Sequence, residues 1–139
     1  MRWGLGCLVF LFGVACAAPF DGTTYRGEGF VFQVPRPPAT WERVEVTGAA
    51  LAFEHAGHSA KILVNARCDR DGEDVPLRSL TQHLFIRFTE REIQSEELFP
   101  FDGREALRTD ITAKLDGVPL RFQVWVLKKD KCVYDMLYF

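Results

Sequence analysis

This sequence is short of basic charge, of paired thiol motifs and of any nucleophile motif. Its 17 Lys and Arg stand against 19 Asp and Glu, a formal net charge of -2 over 139 residues. Nucleic-acid binding leans on clustered positive charge, so this balance removes the electrostatic case for it. No C-x-x-C occurs, which leaves a redox-active dithiol without its framework. A Gly-x-Ser-x-Gly elbow, a phosphate loop and a paired nucleophile and base are all missing. No catalytic residue, metal ligand set or cofactor is therefore assigned, and the chain is read as non-enzymatic. Past the N-terminus, no apolar run approaches the roughly 18 residues that would suggest a membrane span.

Histidine is scarce, with 3 in the chain. His55 and His58 flank a turn, but zinc generally needs three or four ligands, so they read as surface residues. His83 reads as a flank residue of a helix. The densest acidic stretch, Cys68-Asp69-Arg70-Asp71-Gly72-Glu73-Asp74, lacks the spacing of a calcium loop. It reads as a solvated loop that turns at Gly72 and caps a helix through Asp74.

What is present begins at the N-terminus. Arg2 followed by an apolar run from Leu5 to Val14 has the form of a secretory signal over residues 1–15, which implies export. Two endings compete. Val14-Ala15-Cys16 reads as a lipobox that would make Cys16 a lipidated first residue, on the extracytoplasmic face of a bacterial membrane. Ala15-Cys16-Ala17 reads as a small-x-small cleavage site that would release a soluble chain starting at Ala18. Of the 4 cysteines, Cys7 falls inside the signal. Assigning Cys16 to lipid leaves Cys68 and Cys132 as an even pair, most simply a disulfide in an oxidising compartment; two free thiols are the alternative.

Residues 16–29 read as an anchor and tether, Gly- and Thr-rich without periodicity, and 30–139 as one α+β domain. Phe30, Phe32 and Val34 share a strand face, and Pro35, Pro37 and Pro38 end that strand. Further strands are read at Trp41–Val46, Leu51–Glu54 and Ala60–Arg67, the last with Ile62, Val64 and Ala66 inward. Leu77, Leu80, Leu84 and Phe88 recur at helical spacing, so a helix is expected over about 75–89, with Asp74 as N-cap and Pro76 in the first turn. Ile93–Phe99 is an irregular strand. Leu107, Thr109, Ile111, Ala113 and Leu115 alternate along the next, and Leu120, Phe122, Val124 and Val126 along the one after. Asp102-Gly103 and Asp116-Gly117 are two-residue hairpin signals, and Lys128–Lys131 makes a further turn before a last strand, Cys132–Phe139. This is an antiparallel meander with one helix packed on it.

The order Phe30-x-Phe32-x-Val34-Pro35, then Trp41, then strands turning at Gly103 and Gly117, resembles the PsbP-like superfamily. That group includes extrinsic photosystem proteins, a Ran-binding release factor and DcrB-type bacterial lipoproteins. The resemblance implies an α/β/α sandwich, here truncated before the usual C-terminal helix, and a binding or assembly role. It implies no catalytic residue.

Two functions follow as expectations. One is an exported, lipid-anchored domain that binds a protein partner at the cell envelope. Its partner surface would be Arg121, Trp125 and Leu127, which point away from the inward face of their strand. The alternative is a carrier of a small apolar ligand, with a pocket between helix and sheet lined by Phe, Leu and Trp. Lys128, Lys129 and Lys131 could touch anionic headgroups if Cys16 is lipidated, although a solvated hairpin tip explains them better, since Asp130 interrupts the three lysines.

Overall fold

A computed structural model describes residues 18–68 and 74–139. The signal, Cys16 and most of the acidic loop lie outside the described residues. Nine strands and one helix follow in chain order: β1 (Thr24–Gly27), β2 (Phe30–Gln33), β3 (Trp41–Val44), β4 (Leu51–His55), β5 (Lys61–Arg67), α1 (Leu77–Leu84), β6 (Thr89–Phe101), β7 (Arg104–Leu115), β8 (Val118–Lys129) and β9 (Cys132–Tyr138).

Strands β3 to β9 form one 7-stranded sheet in the order β3-β4-β5-β9-β8-β7-β6, with every neighbouring pair antiparallel. Two meanders are joined edge to edge: β3-β4-β5 comes first, and α1 carries the chain across to β6-β7-β8-β9. The last strand pairs with both β5 and β8 and so lies inside the sheet. The two Asp-Gly turns form where expected. In each, both central residues take positive φ (Asp102 49° and Gly103 72°; Asp116 51° and Gly117 81°), as two-residue hairpins require. The β8–β9 turn does the same with Asp130 and Lys131.

One face of the sheet carries the main core. Ile111 and Ala113 from β7, Phe122, Val124 and Val126 from β8 and Val133 from β9 are buried there, with Leu77, Leu80, Leu84 and Phe88 packed against them. Alternation along β7 and β8 therefore gives the inward residues correctly, except that Leu115 is exposed at the hairpin end. Three rings meet Phe122 at about the same distance: Phe85 and Phe139 at 5.1 Å and Phe88 at 5.2 Å.

Several expectations need correction. The helix is shorter than 75–89. Pro76 holds its N-cap position, no side chain caps it, and Asp74 is not the cap. It ends at Leu84 because Phe85 turns into the core, where it is 1% exposed and its N–H bonds the Gln82 carbonyl. The tether carries structure instead. Thr24–Gly27 pairs antiparallel with Phe30–Gln33, closing a two-residue turn at Glu28-Gly29. Asp21 ties the start of that hairpin: its carboxylate accepts from the Thr23 and Thr24 amides and from Arg26. These bonds, the Thr24 amide first, hold the Asp21 carboxyl well below the usual carboxylate range.

The hairpin lies over the face of the sheet opposite α1, so among the described residues the second covering layer is β rather than a second helix. Tyr25, Phe30 and Phe32 stack on its inner side, with Tyr25 and Phe32 centroids 5.1 Å apart and Phe30 and Phe32 6.1 Å apart. Phe30 then meets Tyr134 of β9 edge-on at 6.5 Å. Ile62, Val64 and Ala66 face this layer, because they pair with Tyr138, Met136 and Tyr134. A disulfide joins Cys68, just past β5, to Cys132 at the start of β9. In the chain-entropy view a loop of that length is worth about 4 kcal/mol.

Candidate functional site

The hairpin covers only part of its face. Between it and the β6–β7 and β8–β9 turns runs a cleft of about 690 Å³. Val31, Phe32 and Val34 form one wall, Trp125, Leu127, Tyr134 and Met136 the floor, and Phe101, Asp102 and Lys129 the far end. The far end is tied shut by Lys129 Nζ, which lies 2.6 Å from Asp102 Oδ2. That bond raises the Lys129 pKa, and burial raises that of Tyr134.

Strand pairing explains why the floor is aromatic. Trp125 lies opposite Arg108 of β7, and Arg108 lies opposite Glu97 of β6, so one face gathers side chains from three strands. Phe99 and Phe101 reach Trp125 at 5.4 and 6.1 Å. The Arg108 guanidinium stands 4.7 Å over Phe99 and 5.9 Å from the Trp125 ring centre, and it is held by Glu97 at 3.3 Å. A polar chain continues along the same face. Trp125 Nε1–H donates to Gln123 Oε1 (3.4 Å), and Gln123 Nε2 donates to Asp110 Oδ1 (3.3 Å). Ser95 Oγ donates to Asp110 Oδ2 (2.8 Å). The Ser95 bond, aided by Gln123, Arg108 and Arg121, keeps the Asp110 carboxyl below its ordinary pKa despite some desolvation. Trp125 is thus fixed in place before anything binds it.

The three residues singled out from the sequence are only partly brought together. Trp125 and Leu127 are both half-buried in the cleft, whereas Arg121 is exposed and stands outside its lining. Sequence reasoning missed Arg108, Phe99 and Phe101; the only signal for them was their place on alternating strands, which does not reveal register. The basic turn does not form a patch, since Lys129 pairs with Asp102 and Lys128 Nζ donates to the Val75 carbonyl at 2.9 Å.

A second concavity lies on the other face, between α1 and the β6–β7 edge. It holds about 340 Å³ and is lined by Thr81, Gln82, Phe85, Arg91, Ile93, Glu96, Thr109 and Ile111. A space between helix and sheet was expected, but its walls mix apolar with polar groups in place of Phe, Leu and Trp. His55 and His58 stack at 4.7 Å on an exposed turn, with His55 Nδ1 accepting from the Gly57 amide. Among the described residues no three His, Cys, Asp or Glu side chains come together as a metal site. No described helix is long and apolar enough to cross a membrane.

Comparison with known structures fixes the architecture. The solution structure of cyanobacterial PsbP (CyanoP) from Synechocystis sp. PCC 6803 is similar over 91% of this chain and 85% of its own, with TM-score 0.52 and 10% identity. The fold is PsbP-like. A Pseudomonas aeruginosa protein of unknown function, PA94, aligns over 84% of this chain and 80% of its own at TM-score 0.46 and 14% identity. No family model matches the sequence, and no curated protein matches it. At 10% identity the CyanoP likeness speaks for the fold alone.

Proposed function

We propose that this chain is an exported, lipid-anchored, non-enzymatic domain that binds a protein partner at the cell envelope, with the Trp125 cleft as its docking surface. The cleft itself is the observation that carries this reading. It offers a pre-positioned Trp beside an Arg stacked on aromatic rings, open to solvent and rimmed by charges at the Lys129–Asp102 end. Buried aromatics and Arg within a polar rim are the usual composition of a binding hot spot. Export draws support from the Cys68–Cys132 disulfide, a bond that persists in oxidising compartments. Anchoring rests on Val14-Ala15-Cys16, with Cys16 as the lipidated residue, and it fits the DcrB-type lipoprotein end of the resemblance. The absence of a basic excess argues for a protein partner over nucleic acid.

Photo-crosslinking tests the docking surface. A crosslinker at Val31, on the cleft wall, should trap an envelope protein in cells, and the same probe at Leu115, at a distant hairpin tip, should not. Trp125→Ala should abolish the adduct. An adduct unchanged by Trp125→Ala, or equal from both probe positions, overturns the assignment. Mass spectrometry of the mature N-terminus separately reads whether Cys16 carries lipid.

A further inference from the structure

The β1–β2 hairpin has two edges, and they differ. On the β1 side, Phe20 bridges to Tyr25 and the Arg26 amide donates to the Pro19 carbonyl at 2.8 Å, so that edge is partly occupied. On the β2 side the register fixes which groups point outward. The Val34 amide donates to the Thr23 carbonyl at 2.8 Å. Hydrogen-bonded pairs alternate along an antiparallel ladder, so Phe30, Phe32 and Val34 are the residues bonded across to β1. Val31 and Gln33 therefore turn their N–H and C=O groups away from it. Among the described residues the hairpin is a 2-stranded sheet, and these outward groups have no backbone partner.

That free edge borders the Trp125 cleft, whose lining takes Val31, Phe32, Gln33 and Val34 from β2 and nothing from β1. Ring contacts of Phe20 with Phe53 and of Phe30 with Tyr134 set the hairpin layer over β4 and β9. Farther across the same face lie Trp125, Leu127 and Phe101, and Phe101 is 45% exposed. A strand added beside β2 extends the covering layer by about 4.8 Å toward these side chains. β2 also lacks the features that usually block edge pairing. The outer strand β6 is blunted by register shifts at Thr89/Glu92 and Ile93/Ser95 and by Glu90, Glu92, Glu96 and Glu97. Phe30-Val31-Phe32-Gln33 carries no charge, no proline and no bulge.

We infer that the partner docks by adding an extended strand to the free edge of β2, with every second side chain apolar and set down on Trp125, Leu127 and Phe101. The inference rests on the reading of this cleft as a protein-docking surface and names the chemistry of the segment that enters it. Main-chain hydrogen bonds at Val31 and Gln33 hold the segment, and the aromatic floor selects its apolar side chains. A compact apolar ligand fills a cleft without meeting donors and acceptors repeated roughly 6.8 Å apart along a strand, whereas an extended backbone meets them all.

Gln33→Pro tests this. It deletes one outward N–H and places a ring on the free edge, while the bonds to β1 made by Phe30, Phe32 and Val34 stay in place. With the photo-crosslinker at Val31, the adduct should fall at least about tenfold in Gln33→Pro and persist in Gln33→Ala, which keeps the backbone donor. Protection of the Phe32 amide from exchange reads whether the proline variant keeps its hairpin. An adduct that survives Gln33→Pro but is lost in Trp125→Ala overturns strand addition and leaves the docking surface standing. One that survives Trp125→Ala overturns the docking surface and strand addition with it, and an adduct of two copies of this chain overturns the inference too. A short capped peptide of alternating threonine and valine gives an arm that needs no variant. At ~5 mM, and binding at the ~1 mM weak end of specific recognition, it should slow solvent exchange of the Val31 and Gln33 amides about sixfold and leave Phe32 unchanged. Its fully N-methylated analogue keeps the side chains but neither donates nor lets a strand approach, and it should have no effect. Exchange unaltered by the parent peptide, or slowed equally by the analogue, overturns the inference.

Discussion

Asp135 is 3% exposed while its ion-pair partner Arg67, 3.5 Å away, is 40% exposed. The pair is lopsided: the carboxyl has left water almost completely, whereas the cation that should compensate it remains solvated, and Asp135 Oδ2 has no hydrogen bond. Burial dominates, with Arg67 opposing, and the net effect is a raised Asp135 pKa.

The sign of the pH effect follows. A carboxyl with a raised folded pKa binds its proton more tightly in the native state than in the unfolded one, so its contribution to stability is full below the unfolded value near 3.8 and is lost as pH rises through the folded value. Asp135→Asn should remove that loss. Urea unfolding at pH 7 should show the variant more stable by on the order of 1 kcal/mol, with the gain vanishing near pH 3.5. A variant that is less stable at pH 7 than at pH 3.5, relative to the parent, would mean that Arg67 outweighs desolvation.

Cys68–Cys132 ties the last residue before the acidic loop to the first residue of the inner strand β9, so it closes a loop containing α1 and three long strands. Replacing both cysteines with serine should lower the unfolding free energy by about 2–4 kcal/mol. The glycine at the hairpin tip sits against this bridge, since a Cβ on Gly29 would lie 3.8 Å from Cys68 Cβ. Amide exchange at β1 and β2 should therefore quicken in the serine variant more than at β7 and β8. Uniform quickening would show that the hairpin is held independently of the bridge.

Lys131 occupies the second central position of the β8–β9 turn at φ 64°, where the other two long hairpins place glycine. A left-handed backbone is strained for a side chain with a Cβ by about 1 kcal/mol or more, and glycine is free of that strain. Lys131→Gly should raise stability by about 0.5–1 kcal/mol in denaturant titrations, whereas Gly117→Ala should lower it. Loss of stability in Lys131→Gly would show that the lysine side chain holds the turn by contacts that outweigh its backbone strain.

These turns also mark what the sequence could and could not reveal. Asp102-Gly103 and Asp116-Gly117 are local chemistry, and alternation along β7 and β8 was legible because their helix-facing side chains are nearly all apolar. Counting made Cys68 and Cys132 the simplest pair and left two free thiols open, and the structure joins them. β1 was illegible because Thr24-Tyr25-Arg26-Gly27 is short and bounded by glycines, and its stability comes from stacking on Phe32, a tertiary fact. The helix looked longer than it is because Phe88 keeps helical spacing to Leu84 yet reaches the core from a turn. Trp125 could be placed on the face opposite the core, but its neighbours come from register between β6, β7 and β8.

Arg108 offers the sharpest test of the Trp125 face. Its guanidinium lies over Phe99 and beside Trp125 while bonding Glu97, and its Nε is buried without a partner. Arg108→Lys keeps the positive charge but removes the plane that stacks on the rings, so a purely electrostatic role would leave the variant unchanged. Stacking predicts a stability loss of about 1 kcal/mol and a shifted, broadened Trp125 indole signal in NMR. Asp110 provides the control, because its carboxyl is depressed chiefly by the Ser95 bond and only in part by Arg108. Charge is conserved in the lysine variant, so the Asp110 titration should stay low; if it rises toward the ordinary carboxylate range, Arg108 orders the whole Trp125–Gln123–Asp110 chain as well as the rings beside it.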